Sequence, residues 1–415
     1  MREMKDSGLQ WAGDIPQYWN IAKGKHFMAV LERPVRDDDN VITCFRDGEV
    51  TLRSNRREDG FTVATVEAGY QGIEPGDLVV HGMDGFAGAI GISDSRGKGT
   101  PALNVLSCSE NKKYIMYLLR AMAYTEVFMA LSTGIRVRTC DTNWKKLKSL
   151  DYLIPPADEQ QCIADFLDAK CAEIDALTAD IQTQIDTLEQ YKRSVITETV
   201  TKGLNPNAEM KDSGIQWIGN MPAHWDVVRG KYILHYMQKP VREDDGVITC
   251  FRDGEVTLRS NRREEGFTMS DKEIGYQGID VGDLVVHGMD GFAGSIGISD
   301  SRGKASPVLN VLDTDQCKRY IMYYLRSMAY SDVFLALATG IRVRSCDLRW
   351  NKLAELSYPV PPLDEQNAIV KHIDSVLSKA DAVIADKKAQ LATLDEYKKS
   401  LIFEYVTGKK EVPVS

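Results

Sequence analysis

The pattern of apolar and polar positions predicts a mixed domain of short strands and one helix near the start of the chain. Val41–Phe45 and Asp77–His81 are apolar, β-branched runs, bounded by turn residues at Asp47-Gly48 and at Gly82, as is typical of strands. Between Tyr114 and Leu131, apolar residues recur at helical spacing, which predicts a helix. Together these elements indicate an α+β fold.

A long helix is predicted after Pro155-Pro156, a pair that ends the mixed region. Asp158 and Glu159 place acids in its first turn, where the helix dipole favours negative charge. No proline or glycine occurs from 157 to 202, and about forty residues at ~1.5 Å each form a rod of roughly 60 Å. A second long helix of similar length is predicted over Asp364–Val406.

An apolar stripe along both rods indicates that the rods pair with each other. In the first rod the stripe follows heptad a and d positions, with Gln184 as a polar exception. In the second rod it is weaker, because Lys387 and Gln390 interrupt it. The alternative is that each rod packs on its own domain, but the stripe is longer than a domain face. The stripe residues are Ile174, Leu177, Ile181, Leu188, Tyr191 and Val195 in the first rod and Ala380, Val383, Leu394, Tyr397 and Leu401 in the second.

The whole pattern occurs twice, at a constant offset of 206 residues. Lys5–Trp11 recurs as Lys211–Trp217, and Trp144 recurs as Trp350, without insertion or deletion. A period of this length indicates two copies of a domain with its connector, since solenoid repeats are much shorter. The predicted bounds are 1–156 for the first domain, 157–203 for the first long helix, 204–362 for the second domain, 363–408 for the second long helix and 409–415 for a tail.

The two copies have diverged unevenly. Residues 41–60 match residues 247–266 at nineteen of twenty positions, and residues 76–88 match residues 282–294 throughout. By contrast, His26–Arg33 shares no residue with its counterpart. Selection that holds the arginine- and glycine-rich segments fixed would produce this mosaic, and gene conversion is the competing explanation.

The formal net charge of −9 argues at first against a nucleic-acid partner, but the distribution of charge reverses that argument. Residues 158–200 and 364–406, in the two predicted rods, carry −7 and −2 and account for all of it. Residues 112–148 carry +6 and residues 318–354 carry +5. Such basic stretches are candidate phosphate-facing surfaces, with an ordinary solvated surface as the alternative.

Recognition chemistry is concentrated between Arg46 and Arg57, where four arginines and one asparagine surround a turn. Arginine can bridge O6 and N7 of guanine, and asparagine can bridge N6 and N7 of adenine. The alternative is that Arg46, Arg56 and Arg57 form local ion pairs with the acids at positions 47, 49, 58 and 59.

A second candidate segment follows residue 133. If Gly134–Arg138 is a strand, Arg136 and Arg138 share one face, and Trp144-Lys145 beyond them offers a phosphate contact. The glycines at 82, 85 and 88 would let the backbone approach a ligand closely, or would form a tight turn. The candidate DNA-binding residues of both copies are Arg46, Arg53, Asn55, Arg56, Arg57, Arg136, Arg138, Lys145, Arg252, Arg259, Asn261, Arg262, Arg263, Arg342, Arg344 and Arg349.

Catalytic signatures are missing from the sequence. It contains no GxxxxGK[ST], GxGxxG, GxSxG or HExxH motif and no Asn/Asp-Pro-Pro-aromatic loop of the adenine methyltransferase kind. Asp84 and His81 remain catalytic candidates, although a lone polar residue in a glycine turn is structural in most proteins. The eight cysteines form no CxxC pair and indicate reduced thiols in a cytoplasmic protein. We expect no catalytic residue, metal or cofactor in this chain and, without a run of 18 apolar residues, no membrane span.

Three features together resemble the specificity subunits of type I restriction–modification systems. They are the lead from Lys5 to Trp19, the strand Gly76–Val80, and the hinge Leu153–Gln160, which leads into a long helix. The second copy repeats the hinge at Val360–Gln366. The resemblance covers the whole chain in the family's order of domain, helix, domain and helix.

The resemblance implies an α+β fold of two pseudo-twofold-related α/β target-recognition domains, separated by two long helices that form an antiparallel coiled coil. Each domain would read one half of a bipartite DNA site, and the helices would set the spacing. The implied partners are double-stranded DNA, two methyltransferase subunits and two translocase–nuclease subunits. S-adenosylmethionine, and ATP with Mg for restriction, would be bound by those partners, which would methylate adenine or cleave DNA.

The chain departs from the family's usual pattern because its two domains are closely similar in sequence. Like domains related by a twofold axis should read an interrupted palindrome. Recognition domains of the family vary greatly, so the candidate arginines rest on residue chemistry and on their retention in both copies. The alternative functions are a specificity subunit of a related phage-defence system and a stand-alone DNA-binding regulator, and recovery of partner chains would separate them.

Overall fold

The computed structural model describes residues 2–56, 67–130, 142–262, 274–336 and 348–413. The chain forms two compact units, one made of residues 1–181 and 388–415 and the other of residues 182–387. Each unit therefore contains one repeated domain and parts of both long helices. The domain bounds predicted from the sequence, which give each helix a segment of its own, stay a prediction.

Short strands make up most of the first domain, as the short apolar runs predict. The predicted strands at Val41–Phe45 and Asp77–His81 correspond to β5 and β8. The strands of this domain are β1 (Met4–Asp6), β2 (Asp14–Pro16), β3 (Asn20–Lys23), β4 (Met28–Val30), β5 (Ile42–Cys44), β6 (Val50–Leu52), β7 (Gln71–Ile73), β8 (Leu78–His81), β9 (Ile90–Ile92), β10 (Gly97–Gly99), β11 (Leu103–Cys108) and β12 (Asp151–Ile154).

In the part of the first domain that the structure describes, three α-helices precede the first long helix. These helices are α1 (Lys112–Tyr124), α2 (Val127–Ala130), α3 (Trp144–Leu147) and the long α4 (Ala157–Lys202). Asn111 precedes α1, and its side chain accepts hydrogen bonds from the backbone N–H groups of Lys113 and Tyr114, which satisfies donors that the first turn leaves unpaired.

The second domain repeats this order. Its strands are β13 (Met210–Asp212), β14 (Asn220–Pro222), β15 (Asp226–Arg229), β16 (His235–Tyr236), β17 (Ile248–Cys250), β18 (Val256–Leu258), β19 (Gln277–Ile279), β20 (Leu284–His287), β21 (Ile296–Ile298), β22 (Gly303–Ala305), β23 (Leu309–Asp313) and β24 (Ser357–Val360). Its helices are α5 (Lys318–Tyr330), α6 (Val333–Ala336), α7 (Trp350–Glu355) and the long α8 (Leu363–Val406).

A four-stranded antiparallel sheet, in the order β4-β11-β8-β9, lies at the centre of the first domain. Both of its faces are covered. Leu78 and Val80 belong to the main core with α1, whereas Val79 belongs to a smaller core under the β5–β6 hairpin. Because side chains alternate along a strand, burial on both faces explains why this run is continuously apolar. The sheet thus carries the hairpin on the face opposite α1.

The prediction of a single helix over Tyr114–Leu131 is wrong in one respect, because the helix is interrupted between α1 and α2. α1 ends at Tyr124, and Glu126 adopts a left-handed conformation with φ of 60° before α2 begins. The backbone N–H and the hydroxyl of Thr125 both bond to the carbonyl of Ala121 and close the last turn. The apolar spacing continues across the break, so periodicity alone does not reveal it. The second domain has the same break at Asp332, with φ of 56°.

The two long helices run antiparallel within each unit. In the first unit, the rings of Phe166 and Tyr405 lie 4.4 Å apart, and Nζ of Lys398 lies 2.6 Å from Oδ1 of Asp175. In the second unit, Nζ of Lys192 lies 2.6 Å from Oδ1 of Asp381. Residue numbers rise along α4 as they fall along α8, so the predicted antiparallel pairing is confirmed. No helix in the described part of the chain has the length and apolarity needed to cross a membrane.

The predicted heptad stripe is correct at some positions and wrong at others. Ile174 and Ile181 are buried as predicted, but Leu177 and Tyr191 are 47% and 52% exposed. The buried stripe continues from Ile181 to Ile185 instead of Gln184. In α8, Ala380 and Leu401 are buried, Leu394 is partly buried, and Val383 and Tyr397 are half exposed.

Candidate nucleic-acid interface

The first candidate segment forms a tight hairpin between β5 and β6. Ile42 pairs with Leu52, and the backbone N–H of Phe45 donates to the carbonyl of Glu49 at 2.8 Å. Gly48 has φ of 89°, which other residues rarely adopt, so the turn needs glycine at this position. The hairpin presents the side chain of Arg46 at its tip.

The turn packs closely against the guanidinium of Arg120 on α1 and against the backbone of β9. A Cβ atom on Gly48 would lie 1.6 Å from Nη2 of Arg120, and one on Gly91 would lie 2.0 Å from the carbonyl of Gly48. Arg120 is buried, and its Nε donates to the carbonyl of Ile90 at 2.8 Å. The sequence prediction missed Arg120, since a buried arginine in an amphipathic helix has no local sequence signal. The hairpin tip therefore has a defined position on the domain.

Arg56 forms the local ion pairs that were the alternative to DNA contact. Its Nη1 bonds to Oδ2 of Asp47 and lies 3.0 Å from Oε2 of Glu49. Its guanidinium carbon lies 4.4 Å from the centroid of the Phe45 ring. The hydrogen bond with Asp47 raises the pKa of Arg56, so the side chain stays charged. It is held at the surface of the hairpin with its side chain about one third exposed.

Arg53 and Asn55 brace the hairpin from within. Nε of Arg53 donates to the hydroxyl of Thr43 at 3.3 Å, and Nδ2 of Asn55 donates to the hydroxyl of Thr51 at 2.8 Å. Both partners lie on the hairpin strands. The two side chains therefore stabilise the hairpin that carries Arg56. They also remain candidates for base contact.

The glycine-rich loop after β8 is a tight turn that faces the hairpin. Nδ1 of His81 accepts hydrogen bonds from the backbone N–H groups of Met83 and Asp84 at 3.2 and 3.1 Å. Burial lowers the pKa of His81, which favours the neutral form that these bonds require. A Cβ on Gly88 would lie 2.8 Å from the carbonyl of Arg46, so the glycine permits the loop and the hairpin to touch.

An ion pair joins the loop to the hairpin. Oδ1 of Asp84 lies 2.8 Å from Nη2 of Arg46, and the side chain of Arg46 is 68% exposed. The pairing was not predicted, because Asp84 is 38 residues away and the local alternative named other acids. Beside this pair, Met83 is 58% exposed although it is apolar. Arg46, Met83 and Asp84 thus form one exposed surface on rigid backbone.

The second unit has the same arrangement. Nη2 of Arg252 lies 3.0 Å from Oδ1 of Asp290, and Nη1 of Arg262 lies 2.6 Å from Oδ2 of Asp253. Nε of Arg259 donates to Thr249 at 3.2 Å and Nδ2 of Asn261 to Thr257 at 2.8 Å. A cavity of about 520 Å³ lies among these groups. Its lining residues include Phe251, Arg252, Asp253, Arg262, His287 and Asp290.

The remaining described candidates differ between the copies. Lys145 is exposed on α3 and lines a cavity of about 730 Å³ together with Tyr70 and Trp144. Arg349 is exposed and immediately precedes α7. Their counterparts at the offset of 206 are Asn351 and Asn143, so the basic residue occupies a different position in each copy.

Six of the sequence candidates lie outside the described residues. They are Arg57, Arg136, Arg138, Arg263, Arg342 and Arg344. The strand predicted at Gly134–Arg138 also lies outside them. These assignments, like the other candidate contacts, stay predictions.

The chain thus has two repeated domains of helices and strands, each with the same exposed surface, and two long helices. Its sequence is 24% identical over 444 residues to the putative type I restriction enzyme MjaX specificity subunit of Methanocaldococcus jannaschii, covering 96% of this chain and 95% of that protein. It is 19% identical over 430 residues to the StySPI specificity subunit of Salmonella potsdam, covering 96% and 90%. No protein-family model matches the chain.

A solved structure has the same fold. It is a chain from work on complex assembly and conformational transition of a type I restriction–modification system. The TM-score is 0.66 at 13% identity, with 95% of this chain and 99% of the solved chain covered. The resemblance to type I specificity subunits, inferred from the lead and hinge motifs, is confirmed, and so is the α+β fold with two domains.

Proposed function

We propose that this chain is the DNA-reading, non-catalytic subunit of a type I restriction–modification complex. The observation that carries the proposal is the repeated surface in which Arg46 and Arg56, and likewise Arg252 and Arg262, stand on a rigid hairpin beside a glycine loop. Arginine held on rigid backbone suits the bidentate geometry of a guanine edge. The specificity subunits to which the chain is similar along its length support the same role.

The two domains read the same short sequence on opposite strands. Their hairpins and glycine loops carry the same side chains in the same contacts, so they offer the same chemistry to a base edge. The target is then an interrupted palindrome, whose gap is set by the paired helices. Domains with unlike surfaces would read unlike halves.

Catalysis belongs to partner chains. Two methyltransferase subunits bind S-adenosylmethionine and methylate adenine, and two translocase–nuclease subunits use ATP and Mg for restriction. This division follows from the resemblance and agrees with a sequence without catalytic signatures.

Methylome sequencing tests the proposal most directly. Cells that carry the chain with its partner subunits should show adenine methylation at a motif with two identical, inverted halves around a fixed gap. A variant with Arg56→Ala and Arg262→Ala should lose or relax that motif while the partner subunits remain associated. A motif with dissimilar halves would disprove the palindromic reading, and no new methylation would disprove the subunit assignment.

Affinity purification separates the alternative functions. A tagged chain should recover a methyltransferase subunit from its host. Recovery of a different effector enzyme would indicate a related phage-defence system. Tight, specific DNA binding without any partner chain would indicate a stand-alone regulator.

A further inference from the structure

Carboxylates contact Arg46 and Arg56, two exposed arginines of the first hairpin. Asp84 lies 2.8 Å from Arg46, and Glu49 lies 3.0 Å from Arg56, which also bonds to Asp47. These acids neutralise the very groups that the proposed function assigns to DNA. Arginines without carboxylate partners would bind phosphate more strongly, so the presence of these acids needs an explanation.

The second hairpin has the same acids in the same contacts. Asp290 holds Arg252 at 3.0 Å, and Asp253 and Glu255 hold Arg262 at 2.6 and 3.2 Å. The three acids are identical between the copies, as are some other exposed acids such as Asp94 and Asp300, but not every exposed acid is kept. For example, the exposed Glu32 has Gln238 as its counterpart, and the exposed Asp14 has Asn220.

We infer that these carboxylates are specificity determinants that keep the hairpin arginines from binding DNA phosphates at random. A phosphate carries a full negative charge and is repelled by the nearby carboxylates. A guanine edge carries no net charge but offers two acceptors to one guanidinium. The acids therefore oppose phosphate contact more than base contact, which favours the target over other DNA.

The geometry allows a contact with the correct base to replace these ion pairs easily. The ion pairs are exposed, and exposed pairs are weak enough for a bidentate base contact to replace them. Asp84 cannot follow Arg46 towards DNA, because its backbone N–H is bonded to His81 and its carbonyl accepts from Ala87. Arg56 keeps its orientation through the ring of Phe45 at 4.4 Å. The inference rests on the proposed function and assigns to these carboxylates an increase in sequence discrimination.

The test neutralises the six acids with near-isosteric residues. The variant carries Asp47→Asn, Glu49→Gln and Asp84→Asn with Asp253→Asn, Glu255→Gln and Asp290→Asn. Asparagine at 47 keeps an acceptor for the backbone N–H of Glu49, which Oδ1 of Asp47 accepts at 3.1 Å. A control of equal charge change carries Glu3→Gln, Asp37→Asn and Asp38→Asn with Glu209→Gln, Glu243→Gln and Asp244→Asn, all exposed acids.

Binding is measured with the full chain in complex with its methyltransferase subunits, on a duplex with the methylated motif and on a scrambled duplex, over a series of salt concentrations. The variant should bind scrambled DNA more tightly by about tenfold or more at ~0.1 M salt. The slope of log K against log salt on that DNA should steepen by about 0.9 for each arginine that gains a phosphate. On the target the slope should stay unchanged, so discrimination falls.

The outcomes separate the inference from the function on which it rests. If the unchanged complex does not prefer its target, the proposed function fails. If it does prefer the target, but the six-acid variant keeps the wild-type slope and discrimination, the inference alone is wrong. The inference is also wrong if the control variant steepens the slope equally, because the effect would then come from net charge.

Discussion

The indole Nε1 of Trp19 donates a hydrogen bond to Oε2 of Glu159 at 2.9 Å, and Nε1 of Trp225 donates to Oε2 of Glu365 at 3.1 Å. Each bond joins the lead segment of a domain to the hinge that opens a long helix. Trp19 and Trp225 are fully buried. Two of the three features that carry the family resemblance, the lead and the hinge, are therefore in direct contact in each unit.

Replacement of the hinge glutamate should destabilise the first unit. Glu159→Ala leaves the buried indole N–H of Trp19 without its acceptor and removes the ion pair of Glu159 with Arg2 at 2.7 Å. We expect the free energy of unfolding, measured by urea denaturation, to fall by about 1–3 kcal/mol. Glu159→Gln keeps an acceptor and should cost less, and equal losses for the two variants would contradict this account.

Tyr114 should be needed to hold the end of α8 on the first domain. Its hydroxyl lies 3.0 Å from the carbonyl of Leu153 and 3.2 Å from that of Val406, near the end of α8. Tyr114→Phe removes the hydroxyl that joins these buried carbonyl groups, so we expect the free energy of unfolding to fall by about 1–3 kcal/mol. Hydrogen exchange of residues 400–408 should accelerate. Tyr397→Phe, at an exposed tyrosine, should leave both measurements unchanged.

Stability should fall in acid because of a buried aspartate in each domain. Nη2 of Arg96 lies 2.7 Å from Oδ2 of Asp39 and lowers the pKa of that carboxyl from 3.8 to about 2. Arg302 does the same for Asp245, whose pKa is also about 2. Because the folded pKa lies below the unfolded one, this stabilisation is complete above pH 3.8 and is lost as the pH falls towards 2.

Urea denaturation across that pH range measures the effect. The free energy of unfolding should decrease with falling pH in the wild-type chain. Arg96→Met with Arg302→Met removes the groups that lower the two pKa values, and the decrease between about pH 4 and pH 2 should become shallower. A decrease of unchanged steepness would show that other carboxyls cause it.

Periodicity and repetition predict the elements of this fold better than they predict its interruptions. The strand at Leu78–His81 and the long helix from Ala157 follow directly from apolar runs and from missing proline and glycine. The break at Glu126 does not, because the left-handed residue lies between apolar positions that keep helical spacing. Likewise, Leu177 has the heptad position of a buried residue but lies half exposed.

In the candidate surface too, contacts between residues close in sequence could be predicted, whereas contacts between distant residues could not. The hairpin arginines and the pairing of Arg56 with Asp47 and Glu49 lie within a dozen residues, and residue types suffice to raise both possibilities. The contact between Arg46 and Asp84 depends on how the loop after β8 packs on the hairpin. No pattern along the chain gives that contact, since it is a property of the folded sheet.

Substitution of Arg56 and of Arg262 decides whether these arginines contact bases or phosphates in DNA. If Arg56 and Arg262 read bases, Arg56→Ala and Arg262→Ala should each cost ~1–3 kcal/mol of binding and relax one base pair in its own half-site. If they contact phosphates, each change should weaken binding uniformly across sequences and reduce the salt slope by about 1. Binding of each variant to duplexes substituted at single positions distinguishes the two. Because the hairpins are alike, the two variants should give mirror-image profiles, and unlike profiles would contradict a palindromic target.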